Sequence, residues 1–224
     1  MSSHTNISVT CPHCRETTDT SIWSSINTML DPEMKAAVRD RSAFLFTCPH
    51  CGTKTYLNYG FLYHQMEDKI MIHYADSDED AEKIDAILTG KDDPKGMMAY
   101  FRKDNYLIRV VRSQNELLDK LAIFDAGLDD RIVEIFKLYV LAKLQEDPAR
   151  EHSSIKLLFF ANDGKYFIQV LTDGKTDGVY EMPGDLYEEL KDDYAPHLND
   201  MRHDDFHIDR SWAMEALRRV NNNA

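Results

Sequence analysis

Cys11, Cys14, Cys48 and Cys51 are all the cysteine in a chain of 224 residues, and they come as two C-x2-C pairs, "TCPHCRE" and "TCPHCGT". Two residues between ligands let one tight turn aim both sulfurs at a single ion. Two such turns supply four thiolates, the closed tetrahedral set of a structural zinc site. Pro12 and Pro49 pre-set φ after the first cysteine of each pair. Gly52 follows the second pair, where a left-handed backbone is easily accepted, whereas Arg15 holds the equivalent place in the first, whose turn is therefore expected to differ. A lone pair would leave a redox dithiol open, and an iron–sulfur cluster would call for a more compact cysteine run. Two matched pairs with none left over favour one structural zinc per chain. Such a site has no open coordination position, so it argues for stability or binding rather than hydrolysis. His13 and His50 lie inside the turns and are expected to be exposed or beside the sulfurs rather than to ligate.

Other residues carry weaker chemistry. His64 could serve as a general base beside His73 on a neighbouring strand, but no serine, cysteine or carboxylate pattern completes a triad, and a partly buried, hydrogen-bonded histidine is the plainer reading. His203 and His207 are four apart among Asp204, Asp205 and Asp209, a spacing that can hold a second divalent ion. The run is not H-E-x-x-H, and exposed histidines explain it equally simply. In "GLDDR", Asp129 or Asp130 is placed to cap a helix and Arg131 to pair across an interface. A carboxylate pair working as acid and base is the alternative. "ANDGK" and "LTDGKTDG" lack the phosphate-loop pattern and read as hairpin turns. Trp23 and Trp212 are assigned to packing.

The elements that must position these residues are legible in part. "SIWSSINTML" alternates moderately. "DPEMKAAVRD" predicts a short helix with Asp31 as cap and Pro32 at its first position. "KTYLNYGFLYHQM" and "KIMIHYA" read as strands around an "EDK" turn, and "NYLIRVV" as another. "DSDEDAEKID" starts a solvated helix with Ile84, Ile87 and Leu88 turned inward. Ser113 with Glu116, and Gly127 at the far end, bracket a second helix; a third runs from about Asp129 to Glu146. That third helix is apolar over more than half its circumference, so it belongs at the centre of a core or at a dimer interface. "EDPAREHSS" is a linker. After it, "SIKLLFFA" and "KYFIQVLT" flank "NDG" as a hairpin, "KTDGVYEMP" adds a third strand, and "GDLYEELKDDYAPHLND" and "SWAMEALRRV" are helical.

The expected fold class is α+β: a zinc-ribbon-like double-knuckle site joined to a mixed sheet with packed helices (residues 7–147), plus a smaller C-terminal α+β unit (155–220). Asp and Glu number 39 against 26 Lys and Arg, a net charge of −13. That balance disfavours nucleic acid and anionic membranes. The first residues carry neither a basic nor an apolar signal region, and no run is long enough to span a bilayer. The expectation is a cytoplasmic protein, where paired cysteines read as metal ligands.

"CPHC", "CPHCG", "YGFLYHQMEDKIMIHY" and "NELLDKLAIFDAGLDDRIVEIFKLY" together resemble the CpXC domain family of bacterial and archaeal proteins, over roughly residues 7–145. The resemblance implies a cysteine-bound metal and a bacterial cytosolic setting, and it lends no enzyme activity. The segment after Ile155 resembles C-terminal regions attached to some such proteins and carries no assigned function. The functional expectation is a non-catalytic zinc-binding protein that engages an unidentified protein partner or forms a homodimer. The alternatives are an enzyme using His64 and His73 or the His203/His207 cluster, and nucleic-acid binding by the ribbon.

Overall fold

A computed structural model describes residues 2–93, 96, 100–101, 103–147, 154–198 and 205–223. Contacts divide the chain into two compact units, Met1–Gln114 and Asn115–Ala224. The α+β class with a mixed sheet is as expected from the sequence.

In the first unit, strands β1 (Ser3–Thr10), β2 (Thr17–Asn27), β5 (Phe61–Gln65), β6 (Ile70–Tyr74) and β7 (Leu107–Val111) form one sheet in the order β1-β2-β5-β6-β7. β1–β2 and β5–β6 pair antiparallel, while β2–β5 and β6–β7 pair parallel. Strands β3 (Leu45–Thr47) and β4 (Lys54–Tyr56) make a separate two-stranded sheet. The turn between β5 and β6 falls where "EDK" predicts it, with Lys69 in the left-handed region at φ 54. β5 alternates as a half-covered strand does: Phe61, Tyr63 and Gln65 are buried, Leu62 and His64 only partly.

Helix α1 (Met34–Arg39) begins later than expected, and Asp31 does not cap it. Glu33 takes the N-cap position without a side-chain bond, and Asp31 Oδ2 is buried with no hydrogen-bond partner. What seats α1 is a set of polar bonds from its basic residues to β5 and the turn that follows. Arg39 donates to Tyr63 Oη at 2.9 Å and to Gln65 Oε1 at 3.2 Å, and Lys35 reaches Glu67 at 3.2 Å and Asp68 at 3.4 Å. Helix α2 (Asp78–Leu88) is capped by Ser77, whose Oγ accepts from the Asp80 amide at 3.2 Å. Leu88 and Ala81 carry its burial; Ile84 is partly buried, and Ile87, expected to turn inward, is exposed.

The second unit joins helices α3 (Gln114–Asp125, whose first residue belongs to the first unit) and α4 (Asp130–Gln145) to strands β8 (Ile155–Asn162), β9 (Lys165–Thr172) and β10 (Lys175–Met182), then α5 (Gly184–Leu198) and α6 (Arg210–Asn223). Both hairpin turns contain two residues at positive φ: Asp163 at 49 and Gly164 at 74, then Asp173 at 51 and Gly174 at 79. That is the primed turn geometry whose twist matches the flanking strands. Ile132, Ile135, Ile168, Val170 and Ala213 are fully buried in one core, each large aliphatic contributing roughly 1.5–3 kcal/mol. The sequence groups α3 and α4 with the cysteines, whereas contacts divide the chain at 114/115; α4, with Ile123 near the end of α3, shares its core with the C-terminal strands and helices. A helix apolar on most of its circumference needs cover on several sides, and the C-terminal elements supply it.

Candidate metal centre

Each cysteine pair sits at the tip of an antiparallel hairpin. The first lies between β1 and β2, whose last ladder pair is Thr10 with Thr17, and the second lies between β3 and β4, closed by Thr47 with Lys54. The two tips are built alike. Cys11 N donates to Glu16 O at 2.9 Å and Arg15 N to Cys11 O at 3.0 Å. In the second tip Cys48 N donates to Thr53 O at 2.9 Å and Gly52 N to Cys48 O at 2.9 Å. These amides fold the chain back so that both sulfurs of a pair face the same side. Arg15 does not change the turn, contrary to expectation. It adopts φ 66, close to the 73 of Gly52, so an arginine bears the left-handed backbone that glycine takes without cost.

The four Sγ atoms lie within 4.8 Å of one another, drawn from two different sheets. Cys11 Sγ is 3.7 Å from Cys51 Sγ, and Cys14 Sγ is 3.7 Å from Cys48 Sγ. Sulfurs at the corners of a tetrahedron with metal–sulfur bonds of about 2.3 Å stand about 3.8 Å apart. The donor set and its spacing therefore fit a four-coordinate ion, and they exclude disulfide bonding, for which sulfurs approach to about 2 Å. All four cysteines are free. Cys11 and Cys48 are buried, Cys14 is half-buried and Cys51 is exposed, so the tetrad lies at the surface with one side shielded by Phe46, Val9 and Leu57.

The thiols differ in acidity. Thr53, whose Oγ1 is 3.3 Å from Cys51 Sγ, and its amide hold Cys51 down to about 5. The Cys14 amide lowers Cys11. The Glu16 amide pulls Cys14 down, but burial and the other three sulfurs push it up to about 12. One thiolate forms readily, and each further one meets the charge of the first. A bound cation removes that obstacle, which is why thiolate sites release protons as they load. Thr53 was not singled out from the sequence; a threonine two residues past a cysteine carries no signal until the turn places its hydroxyl.

His13 and His50 are exposed and outside the sulfur cluster. His64 and His73 lie on adjacent strands, opposite Met71 and Leu62 respectively. His64 is held by Tyr106, Nε2 to Oη 3.1 Å, and burial lowers its pKa. Burial, with His64 adding, pushes His73 down to about 4. No carboxylate hydrogen-bonds to either ring among the described residues. His203 and Asp204 lie outside the described residues, so the His203/His207 pairing does too.

The "GLDDR" residues come out as clamps. Asp129 caps α4, accepting from the Arg131 amide at 3.0 Å. Arg131 binds Asp129 through two nitrogens and donates to Leu198 O at 2.7 Å, tying the start of α4 to the end of α5. Asp130 pairs with Lys120 at 3.1 Å in the interior.

Two hairpin tips offering four thiolates to one point define a double-knuckle, ribbon-type protein with a cluster that can hold a metal ion. The family model described as CpXC protein matches residues 9–137. The chain belongs to the CpXC family, and the matched span contains both knuckles, the α1 clamp and the "GLDDR" cap. No curated protein and no solved structure matches the chain.

Proposed function

We propose that this chain is a non-catalytic zinc-binding protein, with one structural zinc held by Cys11, Cys14, Cys48 and Cys51, whose surface engages a protein partner. The observation that carries the reading is the sulfur tetrad: four cysteines complete a tetrahedron, and none of its positions is left for water or substrate. Thiolates favour zinc over hard cations such as magnesium or calcium. The metal's task is to fix the two hairpin tips against each other. Most apolar residues of α4, the helix on which a homodimer is expected, are buried inside its own unit, so the ribbon is the surface that supports a partner. Leu45 and Tyr56 are cross-strand neighbours on β3 and β4, and both are exposed. The net charge of −13 weighs against nucleic acid as that partner. No helix of the described residues is long and apolar enough to cross a membrane.

Elemental analysis of untagged protein, purified reduced and without chelator, tests the reading. One zinc per chain is expected, lost together with the fold of the hairpin tips. Absence of metal, or a second ion removable without unfolding, overturns it. Light scattering at micromolar concentration separates a monomer that recruits another protein from a second copy seated on the ribbon.

A further inference from the structure

Strand β1 forms one edge of the five-stranded sheet, and among the described residues no strand pairs with its outer side. The ladder to β2 fixes which backbone groups face outward. Cys11 N donates to Glu16 O, continuing the register in which Thr10 stands opposite Thr17. Hydrogen-bonded and non-bonded pairs alternate along an antiparallel ladder, so Thr5, Ile7 and Val9 bond to β2, and the amides and carbonyls of His4, Asn6, Ser8 and Thr10 point away from it. Side chains approach most closely at non-bonded pairs, and they do so here. His4 lies on Trp23 with ring centroids 3.8 Å apart, Ser8 donates to Asp19 at 2.5 Å, and the hydroxyls of Thr10 and Thr17 are 3.0 Å apart.

Open edges are templates for further pairing, and proteins guard them with charge, bulges or cover. Other edges of this chain are guarded in that way. β7, at the far side of the same sheet, is buried at Ile108, Arg109, Val110 and Val111. β10 carries Lys175, Asp177 and Glu181 and a register break between Thr176 and Gly178. On β8 the Phe159 amide is taken by Asp119. From His4 to Thr10, β1 has no Asp, Glu, Lys, Arg or Pro and no register break, and its outward-facing residues are all exposed, in a chain of net charge −13.

The strand is also complementary to itself. Set antiparallel to a second β1 with Ile7 opposite its own copy, His4 faces Thr10 of the second copy and Asn6 faces its Ser8, in both directions. Of the two-fold registers, this one pairs all four outward-facing residues. It also puts Ile7 on Ile7 at a non-bonded position, where side chains are closest. We propose that β1 pairs with β1 of a second copy of this chain across a two-fold axis, so that two five-stranded sheets run on as one. The seam contains no charged residue of the strand, and the two knuckles lie at its opposite ends. A second copy is thereby the partner of the reading above. The pairing uses none of the metal's chemistry, so a failure of the zinc count and a failure of the dimer are separate results.

Amide exchange by NMR on the zinc-loaded full chain tests this, compared at about 10 and about 500 µM. Protection at Asn6, Ser8 and Thr10 is expected to rise roughly three- to sevenfold, because the monomer fraction falls at most as the square root of concentration. Ile7 and Val9, already bonded to β2, should change little, and the mass by sedimentation should approach twice 25.9 kDa. Asn6→Pro removes an outward-facing N–H that β2 does not use, a place where an edge strand tolerates proline. It should leave a monomer whose zinc content and melting temperature match the wild type. Under mild oxidation Ile7→Cys should cross-link to its own copy and Asn6→Cys should not. A monomer throughout, protection at the three amides that ignores concentration, a dimer that survives Asn6→Pro, or cross-linking through Asn6→Cys but not Ile7→Cys would each overturn the proposal. If Asn6→Pro does not fold, the two cysteine variants decide.

Discussion

Replacing Lys137 by Met is expected to be among the most damaging single changes in the second unit. Lys137 Nζ lies 2.6 Å from Asp119 Oδ2 and 2.8 Å from Glu134 Oε1, and all three side chains are under a tenth exposed. Lys120 bonds Glu134 and Asp130 in the same interior, at 3.2 and 3.1 Å. Three carboxyl groups thus face two ammonium groups, and Asp119 also accepts from the Phe159 amide of edge strand β8 at 2.5 Å. Burial opposes the Lys137 charge, yet Asp119 and Glu134 hold its pKa above the ordinary lysine range. Methionine fills the volume but strands Asp119 and leaves Glu134 to Lys120 alone, and breaking one side of a buried pair costs about 3–5 kcal/mol. With a urea slope of about 2 kcal/mol per molar, the midpoint should fall by roughly 2 M. The assay is urea unfolding followed by Trp212 in a Trp23→Phe background, since the chain has only two tryptophans. Adding Asp119→Asn should recover about half the loss, because the amide still accepts from Phe159 without a charge. Because the folded pKa of Lys137 is raised, its contribution is present below the ordinary value of 10.5 and is lost as pH rises through the folded value. The gap between wild type and variant should therefore hold from neutral pH to about 10.5 and narrow above it. A loss under about 1 kcal/mol, or no recovery in the double variant, would refute the view that these charges are dry and mutually held.

Four further outcomes are expected. Gly52→Ala should cost about 1 kcal/mol through its positive φ alone, since open space surrounds the added carbon; an unchanged melting temperature would show that this turn relaxes. Arg15→Gly, its counterpart in the first knuckle, should be neutral or raise stability by up to about 1 kcal/mol, and a clear loss by the same measure would mean the arginine side chain has a role of its own. His73 should titrate by NMR near 4, far below the ordinary 6.5; since its folded pKa is lowered, its neutral form adds stability above 6.5 that fades as pH falls toward 4, and a midpoint near 6.5 would contradict its burial. Arg131→Lys should lower the second unit's stability by roughly 1–2 kcal/mol, because lysine cannot bind Asp129 through two nitrogens and reach Leu198 O together; equal urea midpoints would count against the clamp.

How far the sequence carried depended on whether the physics was local. "NDG" between apolar runs needs only its own backbone to turn, and both hairpin turns of β8–β10 form where they read. Asp129 caps α4 because the orphan amide it satisfies is two residues away. The misses are tertiary. β1, "SHTNISVT", is largely exposed, and its apolar alternation is confined to Ile7 and Val9, too short to betray it; pairing with β2 makes it a strand. Asp31 lost the cap because α1 is seated by Arg39 and Lys35 reaching β5 and its turn, contacts set by chain distant in sequence. The cysteine site read well in type and spacing, but its handedness did not: nothing local said that Arg15 would accept the conformation of Gly52.

With zinc bound as proposed, the cysteine tetrad is also where the first unit is most exposed to loss. β3 and β4 are three residues each and share no ladder with the five-stranded sheet. An isolated two-stranded hairpin of that size is at best marginal in water. The buried residues at the knuckles are Cys11, Phe46 and Cys48, and two of those three are sulfur donors. A core of that size leaves binding free energy as the main term joining the two tips, and a structural four-thiolate zinc site supplies folding free energy on that scale. Chelation should therefore release β3–β4 first, while the core of the second unit, which contains no cysteine, keeps its protection. Hydrogen exchange read at the Cys11, Arg15, Cys48 and Gly52 amides checks this directly. Protection of those four should collapse on adding chelator and return with zinc, with the Ile168 and Val170 amides unchanged. If the knuckle amides stay protected without metal, the tips are held by packing, and the cysteine tetrad is not what maintains them.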